Sequence, residues 1–178
     1  MFHIYDIQKK PEGISFEETL ELSGELMERN TDILALSPIR VTGRVSFEAG
    51  LFLLNYQMAY DITLASSRSM KPVVLSEDFS VDEIFVANEQ VLKDQDLVEE
   101  DLVLVVEEDT IVLAESVADN ILLHIPLKVL TPEEAAGEDL PSGNNWTVMT
   151  EESYAAATQE KKEASSPFAQ LQGLFEEE

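Results

Sequence analysis

The sequence predicts an α+β protein. Its centre is an antiparallel β-sheet of barrel-like form, accompanied by two or three helices and a flexible acidic C-terminal tail. Three observations carry this expectation. Period-two alternation runs from Ile39 to Leu64, interrupted only around Ala49-Gly50, and such alternation marks a half-buried hairpin. Helical spacing occurs in two separate stretches, near residues 15–29 and 113–124. Beyond Leu130 large apolar residues thin out and Glu, Ala, Ser and Gly take over, a composition poorly suited to building a core. The expected division is an α+β domain at residues 1–130 and an acidic tail at 131–178 that closes on a short amphipathic segment.

The elements follow in order. Phe2 to Ile7 reads as a first strand, ended by Pro11-Glu12-Gly13. Ser15 and Glu18 have the spacing of a capping box, in which hydroxyl and carboxylate satisfy the first backbone donors of a helix. Phe16, Leu20, Leu26 and Met27 then fall on one face of a helix ending near Asn30. In the hairpin, Ile39, Val41, Gly43, Val45 and Phe47 alternate with Arg40, Thr42, Arg44, Ser46 and Glu48. Phe52, Leu54, Tyr56, Met58, Tyr60, Ile62 and Leu64 continue the pattern. Setting the apolar residues opposite one another pairs Phe47 with Phe52 and Val41 with Met58. A slip of one residue would turn the apolar set to the wrong face, so this register is strongly specified. Arg40 and Arg44 fall on the polar face, with Asp61 a diagonal neighbour of Arg40.

A second β stretch, Val73 to Val86, keeps Val73, Leu75, Phe79, Val81 and Phe85 in one parity. Asn88 to Glu100 is polar and acidic, a loop or short helix. Leu102 to Val106 is wholly apolar, as in a buried strand. Leu113 to His124 has helical spacing and is ended by Pro126. Phe168, Leu171, Leu174 and Phe175 form the closing amphipathic segment.

Charge narrows the partners. The formal net charge is -25. Met1 to Lys71 holds seven basic and ten acidic residues; from Pro72 onward there are four basic and 26 acidic ones. Such a field repels phosphate backbones and anionic membranes and attracts basic proteins. Any nucleic-acid contact belongs in the first 71 residues. The absence of cysteine excludes disulfides and cysteine-ligated zinc. Met1 to Asp6 lacks the basic-then-apolar pattern of a secretory signal, and no apolar run approaches the length of a membrane span. A cytoplasmic chain without membrane partners is expected.

Little points to catalysis. His3 and His124 have no spacing partner for a metal or a triad. The carboxylates are too many for one pair to stand out as acid and base. Gly24, Gly43 and Gly50 stand alone, so there is no phosphate loop. The expectation is a non-enzymatic binding protein with no metal, no cofactor and no small-molecule substrate. The candidate partner-binding residues are Arg68, Lys71, Arg40 and Arg44, on or beside the hairpin. They suit phosphate contacts; equally, Arg40 pairs with Asp61 and Arg68 with one of many acids.

Ser66-Ser67-Arg68-Ser69-Met70-Lys71-Pro72 resembles the hallmark of the YceD family, the large ribosomal RNA subunit accumulation proteins. Many members carry two cysteines around an arginine, then Leu-x-Pro. Arg68 and Pro72 match, Met70 replaces the leucine, and Ser66 and Ser69 stand at the cysteine positions. In a second family segment Pro126, Gly137 and Gly143 match, while Thr131, Ala135, Asp139 and Ser142 occupy cysteine positions. The resemblance implies a cysteine-free variant as found in low-GC Gram-positive bacteria, with a role in 23S ribosomal RNA accumulation and large-subunit assembly. Two partners fit that role: ribosomal RNA or a pre-ribosomal particle met by Arg68 and its neighbours, or a basic ribosomal protein shielded by the acidic surface. Hydroxyls do not replace thiolates on zinc, so any shared role rests on the fold and on Arg68.

Overall fold

A computed structural model describes residues 1–88, 103–137, 142–149, 151, 153–156 and 158 of the chain. The chain divides into two units, Met1–Val129 and Leu130–Glu178. In the first, β1 (Phe2–His3) pairs with β8 (Thr110–Ile111), and α1 (Ile4–Gln8) follows β1 directly. The expected strand from Phe2 to Ile7 is therefore cut short. Ile4 and Ile7, three residues apart, are both buried, which a helical turn achieves and a strand does not.

The main sheet runs β2 (Ile14–Leu20), β4 (Ile39–Glu48), β5 (Leu51–Ala65), β6 (Pro72–Val86) and β7 (Val103–Val105). A further strand, β3 (Ile33–Leu36), pairs with the end of β5 that extends past β4. All pairs are antiparallel except β6 with β7. The hairpin register is the one the alternation specifies: Phe47 faces Phe52 and Val41 faces Met58. The Phe47 and Phe52 rings lie 4.7 Å apart and are tilted at 43° to one another. Gly43 is required within this ladder. A Cβ there would lie 2.4 Å from the Tyr56 Cβ and from the Asn55 carbonyl oxygen.

Two features of the predicted fold class are overturned. The sheet is open, with β2 and β7 as its end strands, so no barrel-like closure occurs. Helix α3 (Leu113–His124) lies on the apolar face, bonded to Tyr56 and Glu83. It fills the space that a closed barrel would need for its own interior side chains. The helices also exceed the two or three expected. Besides α1 and α3 there are α2 (Ser23–Arg29) and α4 (Pro132–Ala135), and the backbone is helical at 153–156.

The helix expected from Ser15 is a strand until Leu20. Ile14, Phe16 and Leu20 are half-buried at alternate positions, and Ser15 to Leu20 pair with Arg44 to Ile39. The ladder hydrogen bonds with β4 outweigh a local capping pattern, and only α2 remains of the helix. Val103–Val105 is a strand, but Leu104 and Val105 are 44% and 39% exposed. It ends the sheet and is not buried inside it. Helix α3 matches its expected limits and ends before Pro126.

In the second unit Thr131 caps α4. Its hydroxyl accepts from the Glu134 N–H while the Glu134 carboxylate accepts from the Thr131 N–H. Strands β9 (Ser142–Gly143) and β10 (Trp146–Thr147) pair antiparallel. The expected terminal segment, Phe168 to Phe175, and most of the acidic stretch from Asn88 to Glu100 lie outside the described residues.

Candidate functional site

Strand β5 ends at Ala65, and Ser66 to Lys71 turn the chain into β6. This turn is closed by its own backbone. The Ser66 N–H donates to the Lys71 carbonyl at 2.8 Å, and the Met70 N–H to the Ser66 carbonyl at 3.1 Å. The fully buried Ser66 places its hydroxyl oxygen where it accepts from the N–H groups of Arg68 (3.1 Å) and Ser69 (3.3 Å). Two donors converging on one side-chain oxygen hold a tight turn together. Ser67 ties the turn to Val129: its N–H donates to the Val129 carbonyl and its Oγ accepts from the Val129 N–H, at 2.8 and 3.0 Å. Met70 sits in the left-handed region at φ 59°, a conformation costly for a non-glycine residue and retained only where its surroundings demand it. Arg68 and Lys71 are exposed on this braced turn.

The other two cations lie elsewhere. Arg40 pairs with Ala59 of β5 and Arg44 with Asn55, both exposed on the polar face. At about 3.3 Å per residue, Ala59 lies roughly 20 Å along the strand from Ala65, and Asn55 roughly 33 Å. The structure thus brings Arg68 and Lys71 together and strings Arg40 and Arg44 out along the sheet. Arg40 lines a groove of about 540 Å³ with Asp61, Ser76 and Asp78. The carboxylates of this face are held by neutral donors. Asp61 accepts from the Ser76 hydroxyl at 2.6 Å, Asp78 from the Gln57 amide at 2.7 Å, and Asp82 from the Asn55 amide. Among the described residues neither Arg40 nor Arg44 forms an ion pair.

The covered face holds a polar cluster that sequence reasoning missed. The Ser116 hydroxyl donates to Glu83 at 2.7 Å, so the Tyr56 hydroxyl, 2.8 Å away, donates to Ser116. The Asn120 amide completes the set by donating to Glu83 at 2.6 Å and to the Ser116 carbonyl at 2.9 Å. Burial, with the Glu83 charge adding to it, pushes the Tyr56 phenol well above its ordinary value. Tyr60 is raised likewise by burial and then by Glu77. Near the end of α3 His124 stacks on Phe79 with ring centroids 4.0 Å apart, and its Nε2 lies 3.2 Å from the Glu77 carboxylate. One sequence signal was available. Glu77 and Glu83 share the apolar parity of Val81 and Phe85, which is an anomaly on a buried face unless a partner waits there.

Chemically, this cluster is a chain of satisfied hydrogen bonds locking helix to sheet. Among the described residues no group of three His, Cys, Asp or Glu side chains is placed to hold a metal ion. None of the described helices is long and apolar enough to cross a membrane. The described residues also present a braced turn carrying Arg68 and Lys71 at one end of an open sheet, whose polar face bears Asp61, Asp78 and Asp82 beside Arg40 and Arg44.

An α+β chain of this kind, with its arginine turn leading into β6, matches a known family. The model described as "Large ribosomal RNA subunit accumulation protein YceD" matches residues 54–175, which include the turn, β6 and α3. The chain belongs to the YceD family. It is also similar to "Uncharacterized protein YlbN" of Bacillus subtilis (strain 168), with 32% identity over 151 residues, 84% of this chain and 84% of the relative. No solved structure matches.

Proposed function

We propose that this chain is a non-enzymatic, cytoplasmic factor supporting accumulation of 23S ribosomal RNA and assembly of the large ribosomal subunit. It acts by docking the Arg68 turn on ribosomal RNA or a pre-ribosomal particle. It represents the cysteine-free branch of its family found in low-GC Gram-positive bacteria. The observation that carries the reading is the construction of the turn: hydrogen bonds from Ser66 and Ser67 brace a segment whose projecting side chains include Arg68 and Lys71. A cationic turn whose backbone is pre-ordered contacts phosphates at a lower ordering cost than a flexible loop, since only its side chains remain to be fixed. Family membership supports the ribosomal setting.

The test is binding of the full chain to large-subunit ribosomal RNA across a salt series. Arg68→Ala with Lys71→Ala should weaken binding and lower the salt slope by about 1.5, from roughly 0.7–0.9 per lost phosphate contact. Undiminished binding by the double variant would overturn the reading.

A second reading, an acidic chaperone for a basic ribosomal protein, is favoured by the polar sheet face. There Asp61, Asp78 and Asp82 are held ready by neutral donors, and Arg40 and Arg44 are too far apart to form one phosphate cradle. Under this reading, purified RNA does not bind, and a basic ribosomal protein does.

A further inference from the structure

From the free edge of β2 we infer that this chain carries a second docking surface, which takes an extended basic polypeptide segment as an added strand. This goes beyond the role proposed above and makes no use of the Arg68 turn. Among the described residues, strand β2 ends the sheet and pairs only with β4. Its seven residues keep one unbroken register, so alternate N–H and C=O groups point outward in a regular row. Proteins usually blunt such an edge with charged side chains, lysine above all, or with proline, a bulge, a very short strand or a covering element; here the charges are the carboxylates of Glu17 and Glu18. Ile14–Leu20 contains no lysine, no proline and no register shift.

The occupant follows from charge. Between Lys10 and Arg29 there is no basic residue, while Glu12, Glu17, Glu18, Glu21, Glu25 and Glu28 are all acidic. Glu17 and Glu18 are both exposed and, being adjacent in a strand, project to opposite faces. An added strand with lysine or arginine on both faces would meet a carboxylate on each. A second copy of this chain is opposed. Antiparallel pairing of two β2 strands about Glu17 sets Glu17 against Glu17, and neighbouring registers set Glu17 against Glu18. Like charges directly opposite destabilise a strand pair, and a net charge of -25 on each copy adds repulsion. Nucleic acid is disfavoured by the same carboxylates. The edge is thus closed to self-pairing and open to a basic strand, as in β-augmentation, where main-chain bonds give affinity and side chains give selection.

The experiment uses the full chain and a synthetic peptide of alternating lysine and valine, long enough to span β2. Binding is followed by anisotropy and by residue-resolved amide hydrogen exchange. The outward amides of β2 should exchange readily in the free protein and gain at least about tenfold protection with peptide bound. Glu17→Gln with Glu18→Gln, a substitution at two exposed positions, should weaken the peptide about tenfold. Arg68→Ala with Lys71→Ala should leave peptide binding unchanged, which separates this surface from the ribosomal RNA reading. Four results would each overturn the inference: no peptide binding, binding without added protection in β2, undiminished binding by the glutamine variant, or equal protection of β2 by a single-stranded RNA.

Discussion

The two faces of β5 share fifteen residues and little else. On one face Phe52, Leu54, Tyr56, Met58, Tyr60, Ile62 and Leu64 are buried, and their only polar groups are tyrosine hydroxyls. On the other, Asn55, Gln57, Ala59 and Asp61 lie in rows with Asp82, Ser80, Asp78 and Ser76 of β6. The covered face is where stability is generated: apolar area leaves water, and the Tyr56–Ser116–Glu83–Asn120 chain fixes α3 in place. The open face, the turn at its end and the edge at β2 are the surfaces that the proposals above assign to partners. A single strand thus separates a core-facing set of side chains from a solvent-facing set by parity alone, so substitutions one residue apart should have unlike consequences.

The sharpest way to break this contrast is the neighbouring pair Met58 and Gln57. Met58 is fully buried, and Met58→Ala should cost about 2–5 kcal/mol in urea denaturation through lost burial and a residual cavity. Gln57→Ala, beside it on the open face, should change stability by no more than about 0.5 kcal/mol. Equal costs would abolish the distinction. The next largest effect concerns the cluster. Glu83→Ala leaves the Ser116 hydroxyl without its acceptor and removes one of the acceptors of the Asn120 amide, and should cost about 1–3 kcal/mol. Asp82→Ala, one residue away on the open face, should cost far less.

Smaller and slower to appear is a pH effect. Tyr56 and Tyr60 are both raised above their ordinary value of 10.0. Below about pH 10 both phenols keep their protons whether the chain is folded or not, so the contribution is fully present. Above it the unfolded chain releases protons that the folded chain retains, so stability falls as pH rises. Denaturation midpoints should therefore decline from about pH 10 upward, and Tyr60→Phe should flatten part of that decline. A midpoint independent of pH in this range would contradict the burial of these groups.

How much was legible in the sequence depends on how local the signal was. The β4–β5 register could be read because both strands carry strict alternation across a short turn. Helix α3 could be read because its spacing and Pro126 agree. Strand β2 was misread because Ser15 and Glu18 have a local helix-starting pattern, whereas the β4 strand that claims them lies some 25 residues onward. Val103–Val105 is the strand its apolar run predicts, but apolar character does not reveal that a strand ends its sheet, so its burial was misjudged. In the Tyr56–Glu83–Ser116–Asn120 cluster the bonds between sheet and helix join residues 33 to 64 positions apart, and only the odd parity of Glu83 hinted at it. At the candidate site, the turn around Arg68 was visible as a basic island. Its bracing by Ser66 and its bond to Val129 were not, because they are set by backbone geometry and by a residue 62 positions away.

The central functional claim is that the Arg68 turn acts in large-subunit ribosomal RNA accumulation. It is tested most directly by replacing the chromosomal copy with Arg68→Ala, Lys71→Ala and measuring 23S ribosomal RNA against 16S at equal protein level. A fall in 23S relative to 16S, matching that of the deletion, is predicted, with Gln57→Ala behaving as wild type. A normal ratio in the double variant, beside a reduced one in the deletion, would contradict the account.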